Sequence, residues 1–222
     1  MKERKIGIIG GTFNPIHYAH LLLAENAREQ FALDRVVFIP AGLPYLKDCS
    51  DIPAGELRYQ LAKIATKDNP YFTCSRIEID RAGNTYTIDT VRELKRMYPG
   101  DSLYFIMGAD SVFDLDNWHE VEELYKLITI IATVRKDVDE DALENKCEEL
   151  REKYSADIRI FSCGRMDISS TDIRRRMNKG MSVRYLLPDD CIDFIRTRNI
   201  YSEKKPQLEA PSKVYIPHSR KQ

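Results

Sequence analysis

The sequence has no long hydrophobic run and no excess of charge of either sign. No stretch of the 222 residues approaches the roughly 20 apolar residues needed to cross a membrane. The first apolar run, residues 6–9, is also shorter than the ~7–15 residues of a signal-peptide core. The 34 Lys and Arg residues balance the 35 Asp and Glu residues, unlike the strongly basic proteins that coat nucleic acid. We therefore expect a cytoplasmic protein with no membrane partner and no nucleic-acid partner.

Cysteine is scarce and scattered. No two of the five cysteines lie within four residues of each other, so the sequence contains neither a zinc knuckle nor a redox pair. An odd, scattered set is typical of reduced thiols, and we expect each one to behave as a small buried hydrophobe. The cysteines are Cys49, Cys74, Cys147, Cys163 and Cys191.

Short β-branched runs alternate with helical patterns along the chain. The apolar runs occupy residues 6–9, 36–39, 103–107, 128–134 and 158–161, with a weaker one at 72–79. Between them, apolar residues recur at helical spacing within 23–31, 57–65, 88–94 and 143–154. This alternation predicts an α/β fold, a Rossmann-like doubly wound parallel sheet in a single domain. Such sheets bind ligands at the carboxyl ends of their strands.

Residues 202–222 differ from the rest of the chain. They contain three prolines, five Lys or Arg and two Asp or Glu, and they show no helical or strand period. We expect one domain over residues 1–201 and a C-terminal tail over 202–222 that lies outside the core and is a candidate for disorder.

A glycine pair marks the end of the first predicted strand. Gly10 and Gly11 let the backbone bend sharply and approach a ligand closely, and a helix is predicted to follow. The N-terminus of a helix favours anions. His17 and His20 are spaced to face the same side of the first helical turn, where both can donate to phosphate oxygens. We interpret the segment as a phosphate site rather than a plain turn beside two capping histidines.

Two close histidines also suggest a metal site. A zinc-binding helix spaces its histidines four residues apart, whereas His17 and His20 are three apart. No third His or Cys is nearby in the sequence. We therefore predict no protein-bound metal.

A second anion-binding pattern lies about 150 residues downstream. Ser169 followed by Asp172 resembles a capping box and predicts the start of a helix. Ser170 and Thr171 place hydroxyls and amides at that N-terminus. Arg174 lies one turn further, where a guanidinium can hold a phosphate through two hydrogen bonds. The alternative is a capped surface helix with a solvated arginine face.

These strings resemble those of a known superfamily. Residues 10–20 are similar to the GTFDPIHxGH signature of the nucleotidylyltransferases, and residues 168–174 to their ISSTxIR motif. The strings Thr-Tyr-Thr at 85–87 and Gly-Ala-Asp-Ser at 108–111, with the single tryptophan, resemble the bacterial nicotinate-mononucleotide adenylyltransferase family. The resemblance covers residues 5–201. It implies transfer of AMP from ATP to nicotinate mononucleotide, with release of pyrophosphate, by direct in-line attack in NAD biosynthesis.

The resemblance also implies how ATP is held. His17, His20 and Arg174 become the predicted catalytic residues, and Mg²⁺ becomes the cofactor, carried in by ATP rather than by a protein cage. The implied ATP-binding residues are Gly10, Gly11, Thr12, Phe13, His17, His20, Arg135, Ser169, Ser170, Thr171 and Arg174.

The middle of the chain is the implied acceptor site. A tryptophan offers a flat platform for a cationic pyridinium ring. Backbone amides near Thr85 and His119 are expected to take the nicotinate carboxylate, and Asp110 the ribose. Amide donors favour a carboxylate over a carboxamide, whose NH₂ cannot accept, so we predict nicotinate over nicotinamide mononucleotide. The implied substrate-binding residues are Lys47, Thr85, Gly108, Asp110, Trp118 and His119.

The chain departs from the family pattern at four positions. Asn14 stands where Asp is usual, and Ala19 replaces Gly where adenine is expected to pack. Leu46 replaces a His that would contact phosphate, and Lys136 replaces a Pro. Two alternatives stay open, namely a transferase with another acceptor, such as nicotinamide mononucleotide or phosphopantetheine, and a nucleotide sensor without catalysis. The sequence is also compatible with a homodimer.

Overall fold

The computed structural model describes residues 3–42, 52–134, 139–164 and 167–201. Within them the chain forms six strands and eight α-helices, with a 3₁₀ turn at Leu115–Asn117. The strands are β1 (Lys5–Gly11), β2 (Arg35–Pro40), β3 (Phe72–Cys74), β4 (Ser102–Gly108), β5 (Thr129–Val134) and β6 (Ile158–Ser162). The helices are α1 (Tyr18–Gln30), α2 (Gly55–Thr66), α3 (Thr87–Met97), α4 (Ala109–Val112), α5 (Val121–Leu127), α6 (Glu140–Tyr154), α7 (Ser170–Asn178) and α8 (Asp189–Thr197).

The strands form one parallel sheet in the order β3-β2-β1-β4-β5-β6. The predicted doubly wound α/β fold is therefore confirmed. The strand order reverses between β1 and β4, both of which end in glycine. In sheets of this type the ligand crevice opens at that reversal, beyond the carboxyl ends of the strands.

Helices cover both faces of the sheet, which explains the continuous apolar runs in the strands. On one face, Ile6 and Ile8 of β1 pack in a cluster with the buried sides of α3 and α6. On the other face, Ile9 joins a cluster with Ala24 and Ala27 of α1 and with residues of α2 and α8. The sheet thus separates the two core layers. Because its strands are parallel, their carboxyl ends lie at the same edge of the sheet.

Most of the predicted elements are confirmed, and one is shorter than predicted. The run at 72–79 forms a strand only over Phe72–Cys74. Beyond it, the Asp80 amide donates to the Arg76 carbonyl at 2.9 Å, so the chain turns instead of extending. The alternation of apolar and charged residues at 75–80 resembles a strand, but the charged side chains there bind one another and neighbouring helices.

Several smaller predictions can also be compared with the structure. Ser169 caps α7 as predicted, because its hydroxyl accepts the Asp172 amide at 3.1 Å. Cys147 and Cys191 are buried, whereas Cys74 and Cys163 are only partly buried. The described residues include no helix long and apolar enough to span a bilayer. Cys49 and the predicted tail at 202–222 lie outside the described residues, as do Leu46 and Lys136.

Candidate active site

A cavity of about 930 Å³ opens above the carboxyl ends of the central strands. Its floor includes Gly10 and Gly11 at the end of β1 and Gly108 after β4. Its walls include the N-termini of α1 and α7, together with residues 85–87 and 117–119. The predicted site residues that line it are Gly10, Gly11, Thr12, His17, His20, Thr85, Gly108, Asp110, Trp118, His119, Ser169 and Ser170.

The two histidines lie against each other at the start of α1. Their rings are stacked with centroids 3.8 Å apart, and His17, only 4% exposed, is the N-cap of the helix. The His17 amide donates to His20 Nδ1 at 3.2 Å. Since Nδ1 accepts, a neutral His20 carries its proton on Nε2, the nitrogen suited to donate to a phosphate. The predicted pairing of the two side chains is thereby confirmed.

Phe13 packs against the His20 ring of this pair. It adopts a left-handed backbone conformation with φ of 47°, is 2% exposed, and meets the His20 ring edge-on at 5.1 Å. A Cβ on Gly11 would come within 3.2 Å of the Phe13 ring. Glycine at that position is what lets the strand end pass close over the ring. The sequence assigned Phe13 to ATP through its amide, and the structure places its side chain in the core.

The N-terminus of α7 is tied to the segment between β1 and α1. The Ser170 hydroxyl donates to the Pro15 carbonyl at 2.8 Å, and an Arg174 guanidinium nitrogen donates to the Asn14 carbonyl at 2.8 Å. The Tyr201 hydroxyl donates to Asn14 Oδ1 at 2.6 Å, and burial raises the pKa of Tyr201, so the phenol keeps its proton. These bonds hold the two helix N-termini side by side at the cavity.

Arg174 and Thr171 are predicted to bind ATP, but neither is among the residues that line the cavity. The second Arg174 nitrogen lies 3.5 Å from the Thr171 hydroxyl, and Thr171 itself is exposed at the rim of α7. Arg174 therefore contacts the backbone that carries the histidine pair. Its predicted grip on the triphosphate stays a prediction, as do the roles of Lys47 and Arg135, which lie outside the described residues.

The described residues predicted to bind the acceptor line the same cavity. Trp118 follows the 3₁₀ turn and packs edge-on against Phe105 of β4, with centroids 5.8 Å apart. The His119 ring lies 4.4 Å from that of Tyr86, the middle residue of the Thr-Tyr-Thr string. This aromatic set offers flat surfaces to a heterocycle, beside the Thr85 backbone. Tyr86 lies within the Thr-Tyr-Thr motif, but the resemblance implied no separate role for it.

Glu78 is a partly buried acidic residue in the cavity wall that the sequence did not single out. Its Oε1 accepts the Thr90 hydroxyl at 2.9 Å. The carboxylate also accepts the Thr85 hydroxyl and the Gly42 amide. Burial raises the pKa of Glu78, and these hydrogen bonds oppose the rise. The predicted strand over residues 72–79 included Glu78, and this prediction concealed its place in the cavity wall.

Arg58 is a second unpredicted charge close to the site. It lies on α2, is 1% exposed, and donates to four backbone carbonyls, those of Pro53, Thr12, Ala41 and Gly42, at 2.6–3.0 Å. Helical spacing correctly predicted that Leu61 faces the core. It gave no reason to bury the neighbouring Arg58, because arginine is mostly exposed in proteins.

One end of the site is suited to polyanions. Two helix N-termini and a histidine pair surround one end of the cavity, where phosphate groups are favoured. In the described part of the chain, no three His, Cys, Asp or Glu side chains gather as a metal site would require. Together the parallel sheet and this cavity define a doubly wound α/β protein that takes a phosphate-bearing ligand at its switch point.

The family follows from comparison with known sequences. The model of the family described as "Cytidylyltransferase-like" matches residues 8–176, and the chain belongs to this family. That span starts in β1 and ends in α7, so it includes both helix N-termini at the cavity.

Two similar proteins have a more specific name than the family. A protein of Lachnoclostridium phytofermentans named "Probable nicotinate-nucleotide adenylyltransferase" is 42% identical over 198 residues, which is 89% of this chain and 99% of that protein. One of the same name from Moorella thermoacetica is 42% identical over 206 residues, 92% of this chain and 94% of its own.

Solved structures share the fold at lower identity. The Plasmodium falciparum nicotinic acid mononucleotide adenylyltransferase complexed with NaAD superimposes with a TM-score of 0.74 at 19% identity. The match covers 90% of this chain and 98% of that one. The same enzyme complexed with APC gives a TM-score of 0.71.

Proposed function

We propose that this protein transfers the AMP moiety of ATP to nicotinate mononucleotide, giving nicotinate adenine dinucleotide and pyrophosphate. The observation that carries the proposal is a cavity lined both by two helix N-termini and by an aromatic group of residues. Its volume of about 930 Å³ is at the upper end of small-molecule sites, which supports a site for two nucleotides. Relatives at 42% identity bear the name of this activity.

The chemistry needs positioning more than acid–base catalysis. A phosphate monoester with a second pKa near ~6 is mostly dianionic at neutral pH, so the attacking group needs no general base. The protein must bring two polyanions together, align them in line and stabilise the charge that develops on the leaving pyrophosphate. The His20 Nε2 donor and the positive potential of the α1 and α7 N-termini are suited to that task.

The acceptor is held at the other end. Trp118, with Tyr86 and His119, provides flat surfaces for the pyridinium ring, and amides near Thr85 and His119 would take its carboxylate. Asp110 and Gly108, at the start of α4, line the same cavity, and Asp110 would bind the ribose. Ala19, in the first turn of α1, lines the cavity where adenine would pack.

Magnesium would enter with the nucleotide. The triphosphate supplies oxygen ligands of the kind that Mg²⁺ prefers, and this ion usually binds proteins through substrate phosphates and water. Bound Mg²⁺ would neutralise charge on the phosphates. The cytoplasmic location and a homodimer stay predictions.

The test is pyrophosphate release from ATP with a panel of acceptors. We expect nicotinate mononucleotide to give the highest kcat/KM, with the dinucleotide product identified by mass. Nicotinamide mononucleotide and phosphopantetheine serve as competing acceptors. A clear preference for either of these would contradict the proposal, and binding of ATP without pyrophosphate release from any acceptor would favour a nucleotide sensor.

A further inference from the structure

We propose that Arg58 and Glu78 are positioning residues that hold Gly42 from its two sides and so fix the spacing between the ATP end and the acceptor end of the cavity. Neither residue is assigned to a substrate in the proposed function. The inference rests on that function only for the choice of acceptor, because the contacts described below are independent of which mononucleotide binds.

Arg58 links the phosphate end to the loop after β2. One guanidinium nitrogen donates to the carbonyl of Thr12, in the segment that leads to the histidine pair, at 2.8 Å. The other terminal nitrogen donates to Ala41 at 2.6 Å and to Gly42 at 3.0 Å. A guanidinium presents its donors in a rigid planar fork, so these carbonyls are held at fixed relative positions.

Glu78 links the same loop to the acceptor end. Its carboxylate accepts the amide of Gly42, the hydroxyl of Thr85 and the hydroxyl of Thr90. Thr90 lies in α3, and Thr85 belongs to the segment where the nicotinate carboxylate is expected. The Thr90 hydroxyl also accepts an Arg81 nitrogen at 2.8 Å, so its own proton is directed to another acceptor.

Gly42 is the point where the two links meet. Its carbonyl binds Arg58 and its amide binds Glu78. A Cβ at this position would lie 2.1 Å from the backbone carbonyl oxygen of Glu78. The close approach of the Gly42 and Glu78 backbones therefore requires glycine.

The expected consequence concerns kcat more than binding. In-line attack needs the reacting atoms within a few tenths of an ångström of their productive separation, and a misplacement of about 1 Å can cost on the order of a hundredfold in rate. If the Arg58–Gly42–Glu78 connection loosens, each substrate still contacts the residues that bind it. The two ends are then no longer held at one distance, so turnover falls while each KM changes little.

The experiment compares Arg58→Lys, Glu78→Gln and their double variant with the matched controls Arg28→Lys and Glu25→Gln. A lysine ammonium cannot reproduce the fork, and a glutamine offers a single acceptor oxygen to three donors. Arg28 and Glu25 bind each other on α1, with Asn69 as a further partner of Glu25, away from the cavity-lining residues. For each variant, kcat per ATP-binding site, both KM values and Tm are measured.

We expect each site variant to lose about ten- to a hundredfold in kcat while both KM values stay within about threefold. The double variant should be close to the worse single variant, because both changes release the same loop. The controls should keep wild-type kcat even where Tm falls. Unchanged kcat per binding site in a folded Glu78→Gln enzyme, or a loss confined to one KM, would overturn the inference. If the Arg58→Lys variant is insoluble, the kcat of the Glu78→Gln enzyme decides whether the inference holds.

Failure of the proposed function gives a different result. In that case the wild-type enzyme itself releases no pyrophosphate with nicotinate mononucleotide. The comparison of variants is then made with whichever acceptor the wild type uses. Variants that match the wild type in kcat with that acceptor would equally overturn the role of Arg58 and Glu78.

Discussion

His17 and His20 stack with ring centroids 3.8 Å apart, and the backbone amide of His17 donates to Nδ1 of His20. The helix cap therefore decides which nitrogen of His20 carries the proton. This arrangement presents an Nε2 donor at the phosphate end of the cavity. It leads to a prediction about turnover.

His20→Ala should reduce kcat by about a hundredfold or more with the fold intact, because one donor aimed at the transition state contributes roughly 2.7–4 kcal/mol. His20→Gln retains an N–H donor on a side chain of similar length, so it should recover part of the loss. Pyrophosphate release measures kcat, and thermal unfolding confirms that both variants fold. A soluble His20→Ala enzyme with wild-type turnover would show that this site does not bind the reacting phosphates.

Trp118→Leu should raise the KM for nicotinate mononucleotide about tenfold while the KM for ATP stays unchanged. A cation–π contact contributes about 0.5–2 kcal/mol, and 1.4 kcal/mol corresponds to tenfold in affinity. Trp118→Phe retains a flat ring against Phe105 and is the matched control, so its KM should rise less. An equal change in the KM values of both substrates would place the indole outside the acceptor end.

Glu78→Gln should alter the pH dependence of stability in a defined direction. Burial raises the pKa of Glu78 above its unfolded value, so between the two values the folded state holds more protons than the unfolded state. The free energy of unfolding of the wild type should therefore fall, relative to that of Glu78→Gln, as the pH rises through this window. Urea unfolding from about pH 4 to about pH 8 measures the difference.

Glu25→Gln provides the control of opposite sign. The Arg28 side chain lowers the pKa of Glu25, so the wild type should gain stability over Glu25→Gln as the pH rises through the carboxylate range. The effect is small, because Glu25 is partly exposed and its ion pair is screened by solvent. The free energy of unfolding of the wild type relative to Glu78→Gln could instead rise with pH, as expected for Glu25→Gln. That result would contradict a Glu78 carboxyl whose pKa is raised by burial.

Alkylation of Cys163 should inactivate the enzyme, and ATP should protect against it. Cys163 lines the cavity, with its sulfur 3.2 Å from the Thr133 hydroxyl. Burial raises the pKa of Cys74 and Cys191 to about 12 and that of Cys147 to about 11, which makes these thiols poor nucleophiles. Peptide mapping after treatment with N-ethylmaleimide identifies the modified residue.

The variant Cys163→Ser is the control for this experiment. It should keep pyrophosphate release and resist inactivation, since a serine hydroxyl is close in size and does not react with maleimides. Inactivation of Cys163→Ser at the wild-type rate would assign the effect to another thiol. Equal rates with and without ATP in the wild type would place Cys163 away from the nucleotide.

Local features of the sequence predicted most of the fold and one end of the site. The apolar runs predicted five of the strands because a parallel sheet covered on both faces needs continuous apolar residues. The strand at 72–79 was too long because alternation also arises where charged side chains of a turn bind each other. Capping chemistry is equally local, so Ser169 and the histidine pair could be placed correctly.

The sequence by itself thus determined the order of elements, the glycine-lined end of β1 and the two helix N-termini, since periodicity and capping act within a few residues. Only the tertiary structure decided that Arg58 reaches Thr12, 46 residues away, and that Arg174 reaches Asn14, 160 residues away. It also decided that Glu78 and Arg58 meet at Gly42. Buried polar groups must find partners wherever the fold brings them, and no local pattern records which distant carbonyl or amide that will be.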